Sequence, residues 1–376
     1  MGKSSGKKII RIGILTTSRA DWGIYLPLVR KLRKDTAFKL FIFAGGMHLD
    51  KRFGFSSRLI EKEGFRITEK ISSLKPGYEE NDINLSIAET IRKFSPVWEK
   101  YRSKMDILFA LGDRYEMFAA CTASVPFNIK IAHLHGGEIT LGAIDNTFRN
   151  AISCMSALHF VSTKEYSDRV KAITGSPENI YNVGSLGVEG FLNEKCYSSK
   201  EFSDKFGFDI LKPFVLTTIQ PETIHPENNR LNIGEFLKAA RAIDLPFLCT
   251  LPNADTSGNV IREGLLKFEK EYPGKLKCYE NLGQKGYYTA MKNCALMIGN
   301  TSSGIIEAGA FKKKVINLGD RQKGRLSGKN VITVPFRKEK ICNAVRLAGQ
   351  LNLLSFKNPY GQGGASDRIL KILKSV

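Results

Sequence analysis

Short runs of β-branched and apolar residues alternate along the chain with stretches whose apolar positions recur at helical spacing. Ile9–Thr17 predicts a buried strand, and Tyr25–Leu32 an amphipathic helix after it. Lys39–Ala44, Ile107–Leu111, Ile129–His133, Leu158–Ser162 and Ile180–Val183 continue the strands. Between them lie expected helices at Ile83–Lys104, Glu116–Ser124 and about Asn146–Met155. Pro96 falls inside the first of these and should strain it. The rhythm breaks at Gly184-Ser185-Leu186-Gly187 and again in the polar stretch ending at Lys212-Pro213. It resumes with strands at Phe214–Ile219, Phe247–Leu251, Leu276–Glu280, Leu296–Ile298 and Lys314–Leu318. The intervening helices are Leu231–Ile243, Val260–Tyr272, Tyr287–Cys294 and Ile305–Phe311. Such alternation predicts parallel sheets with helices on both faces. Two α/β domains follow, residues 1–190 and 191–376, with the amphipathic last helix (about 366–376) able to return to the N-terminal domain.

Composition narrows the class. The chain has 376 residues, 42% hydrophobic and 25% charged, the balance of a globular protein with a buried core. No apolar run reaches the roughly 18 residues that a membrane span needs, so no membrane partner is expected. The polar stretch Met1–Gly6 reads as neither a secretory leader nor a myristoylation signal. Seven scattered cysteines, never spaced as C-x-x-C, argue against a disulfide framework or zinc site and for a reducing, cytoplasmic setting. The formal charge of +20 raises nucleic acid as a partner. Yet Lys and Arg are dispersed, and the longest basic run, Lys312-Lys313-Lys314, has no aromatic residues interleaved for stacking. A solvated basic surface, or attraction of a small polyanion, is the better reading.

In open α/β sheets ligands bind beyond the carboxyl ends of strands, and four polar clusters follow strands here. The first, Thr16-Thr17-Ser18-Arg19-Ala20-Asp21, lacks the G-x-G-x-x-G of a dinucleotide site. Arg19 can fork onto a phosphate or carboxylate there, or simply pair with Asp21 as a helix cap. The second, Gly112-Asp113-Arg114, puts a charged pair at a strand tip, where burial is costly unless the charges are used. The third and densest is His133-Leu134-His135-Gly136-Gly137-Glu138, followed by Asp145 and Arg149. Alternate positions should turn His133 and His135 to one side of a strand end. Acid–base chemistry on a small substrate suits this set, a hydrogen-bonded loop network is the bland alternative, and the spacing fits no standard zinc pattern. The fourth, Gly299-Asn300-Thr301-Ser302-Ser303-Gly304 with Glu307, runs a strand through a hydroxyl-rich turn into a helix start. Free amides and hydroxyls make that a phosphate cradle, Glu307 can accept two ribose hydroxyls, and Arg321 in Asp320–Arg325 can add positive charge.

Taken in order, T-S-R-A-D-W, G-M-H-L, G-D-R-Y-E, H-L-H-G-G-E, G-A-I-D, G-S-L-G, P-N-A-D, G-N-T-S-S-G-I-I-E and D-R-Q-K-G-R resemble the hydrolysing UDP-N-acetylglucosamine 2-epimerases. These are bacterial enzymes that begin sialic acid and related nonulosonate synthesis, and the resemblance spans about residues 9 to 370. It implies two Rossmann-like doubly wound domains in a GT-B-like arrangement, with the active site between them. It also implies a nucleotide-sugar substrate, products UDP and N-acetylmannosamine, no metal or nicotinamide cofactor, and a homo-oligomer (dimer or tetramer). In the implied reaction a base removes the proton on sugar carbon 2 while UDP leaves carbon 1, and water then adds with inversion at carbon 2. The resemblance assigns proton transfer and sugar holding to Asp113, His135, Asp145 and Arg149. It assigns UDP to Arg19, Thr301, Ser302, Ser303, Gly304, Glu307 and Arg321, and further substrate contacts to His48, Arg114, Glu138 and Asn253. Gln220 stands where the family carries a histidine before proline, and glutamine exchanges no proton near neutrality. His225, five residues on, either replaces it or is a surface loop residue. A glycosyltransferase with the same UDP cradle is the runner-up. An epimerase altered toward a di-N-acetylated sugar is a further alternative.

Overall fold

A computed structural model of the protein describes residues 9–77, 79–141, 144–222, 225–252 and 258–375. Its contacts divide the chain into two compact units. The first comprises the chain up to Glu138, Asp145–Gly190 and the segment from Gly363 onward, and the second comprises Ile139–Ile144 and Phe191–Gln362.

The first unit is built on seven strands: β1 (Ile10–Thr16), β2 (Phe38–Gly45), β3 (Glu69–Ile71), β4 (Ile107–Leu111), β5 (Ile131–Leu134), β6 (Leu158–Val161) and β7 (Ile180–Asn182). All pair in parallel, in the order β3-β2-β1-β4-β5-β6-β7. Central strands read as continuous apolar runs because helices cover both faces, and β4 is buried at every position. One face packs Ile12, Ile14, Phe109 and Phe160 against Trp22, Tyr25 and Leu28, and the other packs Leu15, Phe43 and Leu108 against Phe94, Trp98 and Tyr101. Pro96 does not end its helix, which runs from Glu80 to Tyr101. Trp98 and Tyr101, beyond the proline, stack edge-on against Phe43 at 5.0 and 5.2 Å, so packing offsets the lost amide.

The second unit repeats the scheme with β8 (Val215–Thr218), β9 (Phe247–Thr250), β10 (Leu276–Tyr279), β11 (Leu296–Gly299), β12 (Val315–Leu318) and β13 (Val331–Val334), all parallel in the order β10-β9-β8-β11-β12-β13. Each sheet therefore reverses its strand order beside its first strand, between β1 and β4 in one unit and between β8 and β11 in the other. These reversals open the crevices in which α/β sheets hold ligands.

Several elements depart from the sequence expectation. The strand expected at Ile129–His133 is displaced to Ile131–Leu134. The short strands β3 and β13 and the helix Lys338–Gln350 were not expected; β3, an edge strand of three residues, has weak apolar patterning, whereas β13 is a β-branched run, Val-Ile-Thr-Val, that the sequence reading passed over. Residues 139–144 belong with the second unit, because Leu141 N donates to Lys323 O at 3.2 Å and Arg325 Nη2 to Thr140 Oγ1 at 3.1 Å. The helix Ala365–Leu373 packs Ile369 and Leu373 into the first unit's core. The buried Glu189 carboxylate accepts from Ser366 N at 2.7 Å and from Ser366 Oγ, and Lys31 lies 3.2 Å from it. The basic run is more than a solvated face. Lys312, Lys313 and Lys314 donate to the carbonyls of Leu354, Cys294 and Gly349, the last two at the ends of helices, where positive charge is favourable.

Candidate active site

At the first unit's reversal, Ser18 caps the helix Arg19–Lys34, and Asp21 closes a capping box by accepting from Thr17 N, Thr17 Oγ1 and Ser18 N at 2.7–3.0 Å. Asp21 is therefore not the cap itself, and no ion pair ties Arg19 to it. Arg19 is exposed. His48 is wholly buried. Its ring nitrogens meet Thr16 Oγ1 and Ser56 Oγ at 2.9 Å each, and burial lowers its pKa to about 4. The substrate contact expected of His48 is thus not available: both nitrogens are taken and no part of the ring faces solvent.

Beyond β4, Arg149 forms an ion pair with Asp113, and its Nη1 donates to Glu138 O at 2.7 Å. The guanidinium is buried, so it is held by a carboxylate and a peptide carbonyl rather than by water. Asp145 opens the helix Asp145–Met155 that carries Arg149. Burial, reinforced by the Asp113 charge, pushes Asp145 up to about 6, while Arg114 and Arg149 pull the other way. Arg114 is held by the buried Glu116, 3.1 Å away. Two carboxylates in one cluster thus differ, Asp113 paired with a guanidinium and Asp145 poised to exchange a proton near neutrality, a division typical of acid–base sites.

His133 and His135 do not share a side of a strand. β5 ends at Leu134, and His135 adopts a left-handed backbone (φ +63°), which breaks the alternation. His133 is a core residue: Nε2 donates to Gly112 O at 2.8 Å, Nδ1 meets Ser153 Oγ at 3.0 Å, and burial lowers its pKa to about 3. His135 Nδ1 lies 2.6 Å from Glu138 Oε1, which also accepts from Ser162 Oγ at 3.1 Å. Glu138 is buried, so its carboxylate is engaged within the protein instead of being offered to a substrate, as the resemblance had implied. Among the described residues no group of three or more His, Cys, Asp or Glu is arranged to hold a metal ion.

At the second unit's reversal, Gly299 lets β11 approach β8 closely: a Cβ there would meet Thr218 O at 2.3 Å. Asn300 then clamps the backbone of Gln220, accepting from its N at 2.7 Å and donating to its O at 2.8 Å. The helix that follows is a single turn, Ser302–Ile306, shorter than the expected Ile305–Phe311, and its continuation, Ala308–Phe311, is a 3-10 turn. Thr301 precedes it without capping an amide. Its hydroxyl instead meets Ser303 Oγ at 2.9 Å, and Ser303 Oγ meets Tyr287 Oη at 2.7 Å. First-turn amides without a side-chain cap are those an anion can take. Glu307 follows directly and is half-buried, and Arg321 Nη1 reaches Asn300 O at 3.4 Å. His225 is 66% exposed and its Nδ1 lies 3.3 Å from Glu227 Oε1, which makes it a surface residue. Asn253 lies outside the described residues. Tyr287 and Ser162 escaped the sequence reading. Ser162 follows β6, so a search of every strand end would have found it, whereas nothing in the sequence marks Tyr287.

Two doubly wound α/β units, each with polar groups at its strand reversal, define a two-domain Rossmann-like protein. Residues 30–374 match the UDP-N-acetylglucosamine 2-epimerase family, and the chain belongs to that family. It is 36% identical, over 86% of its own length and 83% of the relative's, to the GDP/UDP-N,N'-diacetylbacillosamine 2-epimerase (hydrolyzing) of Campylobacter jejuni. It is 32% identical to the polysialic acid biosynthesis protein P7 of Escherichia coli, over 98% and 94% of the two chains. The fold matches that of the UDP-GlcNAc 2-epimerase from Neisseria meningitidis bound to UDP-GlcNAc, with a TM-score of 0.82 at 15% identity over 98% and 100% of the chains. Among the described residues no helix is long and apolar enough to cross a membrane.

Proposed function

We propose that the protein is a hydrolysing 2-epimerase acting on a UDP-activated N-acetylated amino sugar, releasing UDP and the free sugar epimerised at carbon 2. The observation that carries this reading is the Asp113–Arg149 pair beside Asp145, whose carboxyl burial and the Asp113 charge push up to about 6. Elimination breaks the C2–H and C1–O bonds and forms a C1=C2 double bond. Water then restores hydroxyl at carbon 1 and hydrogen at carbon 2. Inversion needs one group to remove the proton and a second to deliver it, and Asp145 and His135 are the two we assign. Asp113 and Arg149 hold the sugar and fix the cluster. Gln220 positions substrate without exchanging a proton. In the second unit, the amides and hydroxyls of Thr301, Ser302, Ser303 and Gly304 hold the diphosphate. Glu307 accepts the ribose hydroxyls, and Arg19 and Arg321 offset the leaving group's charge. Arg114 stays close to the sugar through its pairing with Glu116. The product, a 2-acetamido sugar with a free anomeric carbon, suits nonulosonate synthesis.

Because the relative at 36% identity is named for diacetylbacillosamine, the di-N-acetylated sugar nucleotide is the first substrate to test, beside UDP-N-acetylglucosamine. Each is incubated with the protein in deuterated water and followed by NMR. Release of UDP with one deuteron at carbon 2 of the inverted free sugar is expected. UDP release without deuterium, or release only on adding a sugar acceptor, would overturn the reading.

A further inference from the structure

The loop after β5 is built to return one side chain onto another. His135 is held in the left-handed region, a conformation unfavourable to a residue that carries a Cβ. Its amide donates to Phe160 O of β6 at 3.2 Å. Gly137, also left-handed, runs so close to the helix Lys164–Thr174 that a Cβ would sit 2.5 Å from Tyr166 O, and a Cβ on Gly136 would sit 3.0 Å from His133 Nδ1. This tight course brings Glu138 back to the imidazole three residues earlier. Strain of this kind persists where surrounding structure enforces it and marks a functional constraint.

With Glu138 ionised, its carboxylate only accepts hydrogen bonds, and Ser162 Oγ–H and His135 Nδ1–H then both donate to Oε1. The ring is then the Nδ1–H tautomer with a bare Nε2, and among the described residues nothing bonds Nε2. Arg149, through the Glu138 carbonyl, ties the same loop to the Asp113 pair.

We infer that Glu138 and Ser162 are positioning residues that hold His135 with Nε2 as its proton-accepting atom, rather than groups that touch the sugar. This rests on the epimerase reading for its kinetic consequence, though not for its geometry. Nε2 takes the proton as the C2–H bond breaks and, as imidazolium, passes it to water before the next turnover. Glu138 stays ionised throughout and stabilises the imidazolium. A buried carboxylate behind a histidine commonly acts in this way.

The test joins a spectroscopic and a kinetic measurement on the full chain. With only five histidines, nitrogen-15 labelling resolves each ring. His135, assigned by its loss in His135→Asn, should show a protonated Nδ1, a bare Nε2 and a low-field Nδ1–H proton. In Glu138→Gln that proton should move upfield, and kcat should fall about 100-fold or more with KM changed less than about twofold. Ser162→Ala, a smaller change that spares the fold, should lower kcat about 3- to 10-fold, again without raising KM. An Nε2–H tautomer in the wild type overturns the inference. So does a rise in KM at unchanged kcat in either variant, because that marks a sugar contact. If the wild type shows the expected tautomer but releases UDP from neither sugar nucleotide, the epimerase reading fails and the positioning geometry stands.

Discussion

The two sheets share a strand order and place their polar groups at the same kind of reversal, but the two crevices differ in kind. In the first unit the crevice holds ionisable groups linked to one another: Arg149 to Asp113, Arg114 to Glu116, His135 to Glu138. In the second it holds neutral hydroxyls and amides, Thr301 to Ser303 to Tyr287 and Asn300 to Gln220, with Glu307 and Arg321 beside them. A buried charge pair shifts pKa values and holds protons in defined places, as chemistry at a C–H bond requires. A row of hydroxyls and amides offers donors of fixed charge, which suits an anion that is bound and released unchanged. On the proposed function, one topology carries two chemistries, separated by what fills the strand ends.

The largest effect that follows falls on the first crevice. Arg149→Met strands the Asp113 carboxylate and the Glu138 carbonyl together, and should cost about 3–5 kcal/mol in urea unfolding as well as nearly all turnover. Loss of turnover with stability intact would show that the pair is not structurally coupled. Next comes Asp145→Asn, expected to lower kcat about 10²- to 10⁴-fold. With His135 taking the carbon 2 proton, Asp145 is the group that delivers one and must be protonated to do so, so kcat/KM should fall as pH rises through about 6. The variant should lose that limb.

Acid should separate the units as well. His48, His133 and His159 lie in the first unit, and burial lowers them to about 4, 3 and 4, below the ordinary value of about 6.5. The unfolded chain therefore binds more protons below that value. Each histidine supports folding fully above about pH 6.5, and that support fades as pH falls toward the folded values, by roughly 1 kcal/mol per pH unit. The second unit has only the exposed His225. Both tryptophans, Trp22 and Trp98, are buried in the first unit, so their fluorescence reports it alone. Acid unfolding followed by tryptophan emission should precede the transition seen by far-ultraviolet circular dichroism, and coincident transitions would erase the contrast. The smallest effect belongs to the second crevice: Ser303→Ala should weaken UDP binding by about 1 kcal/mol in calorimetry and leave the pH profile of turnover unchanged.

Sequence patterning was most informative where strands are buried on both faces. Ile107–Leu111 is apolar at every position and its bounds are those expected, whereas Glu69–Ile71, an edge strand of three residues, has no pattern to read. Chemistry at strand ends was legible as residue type: Asp113 was singled out because a charged pair at a strand tip is costly to bury, and Asp145 and Arg149 because they belong to the densest polar cluster. What the sequence does not carry is who faces whom. His48 looked available and is enclosed, because Thr16 and Ser56 reach its ring from separate segments. Glu138 looked like a substrate ligand and is held by His135 and Ser162, a closure that depends on the left-handed turn at His135. Left-handed backbone at a non-glycine residue leaves no mark in composition or periodicity.

The division of labour between the crevices is tested most directly by titrating UDP into Asp145→Asn by calorimetry while following deuterium incorporation at sugar carbon 2 by NMR. The predicted result is a UDP dissociation constant within about twofold of the wild-type value, with incorporation reduced at least about 100-fold. UDP affinity falling in step with incorporation would contradict it.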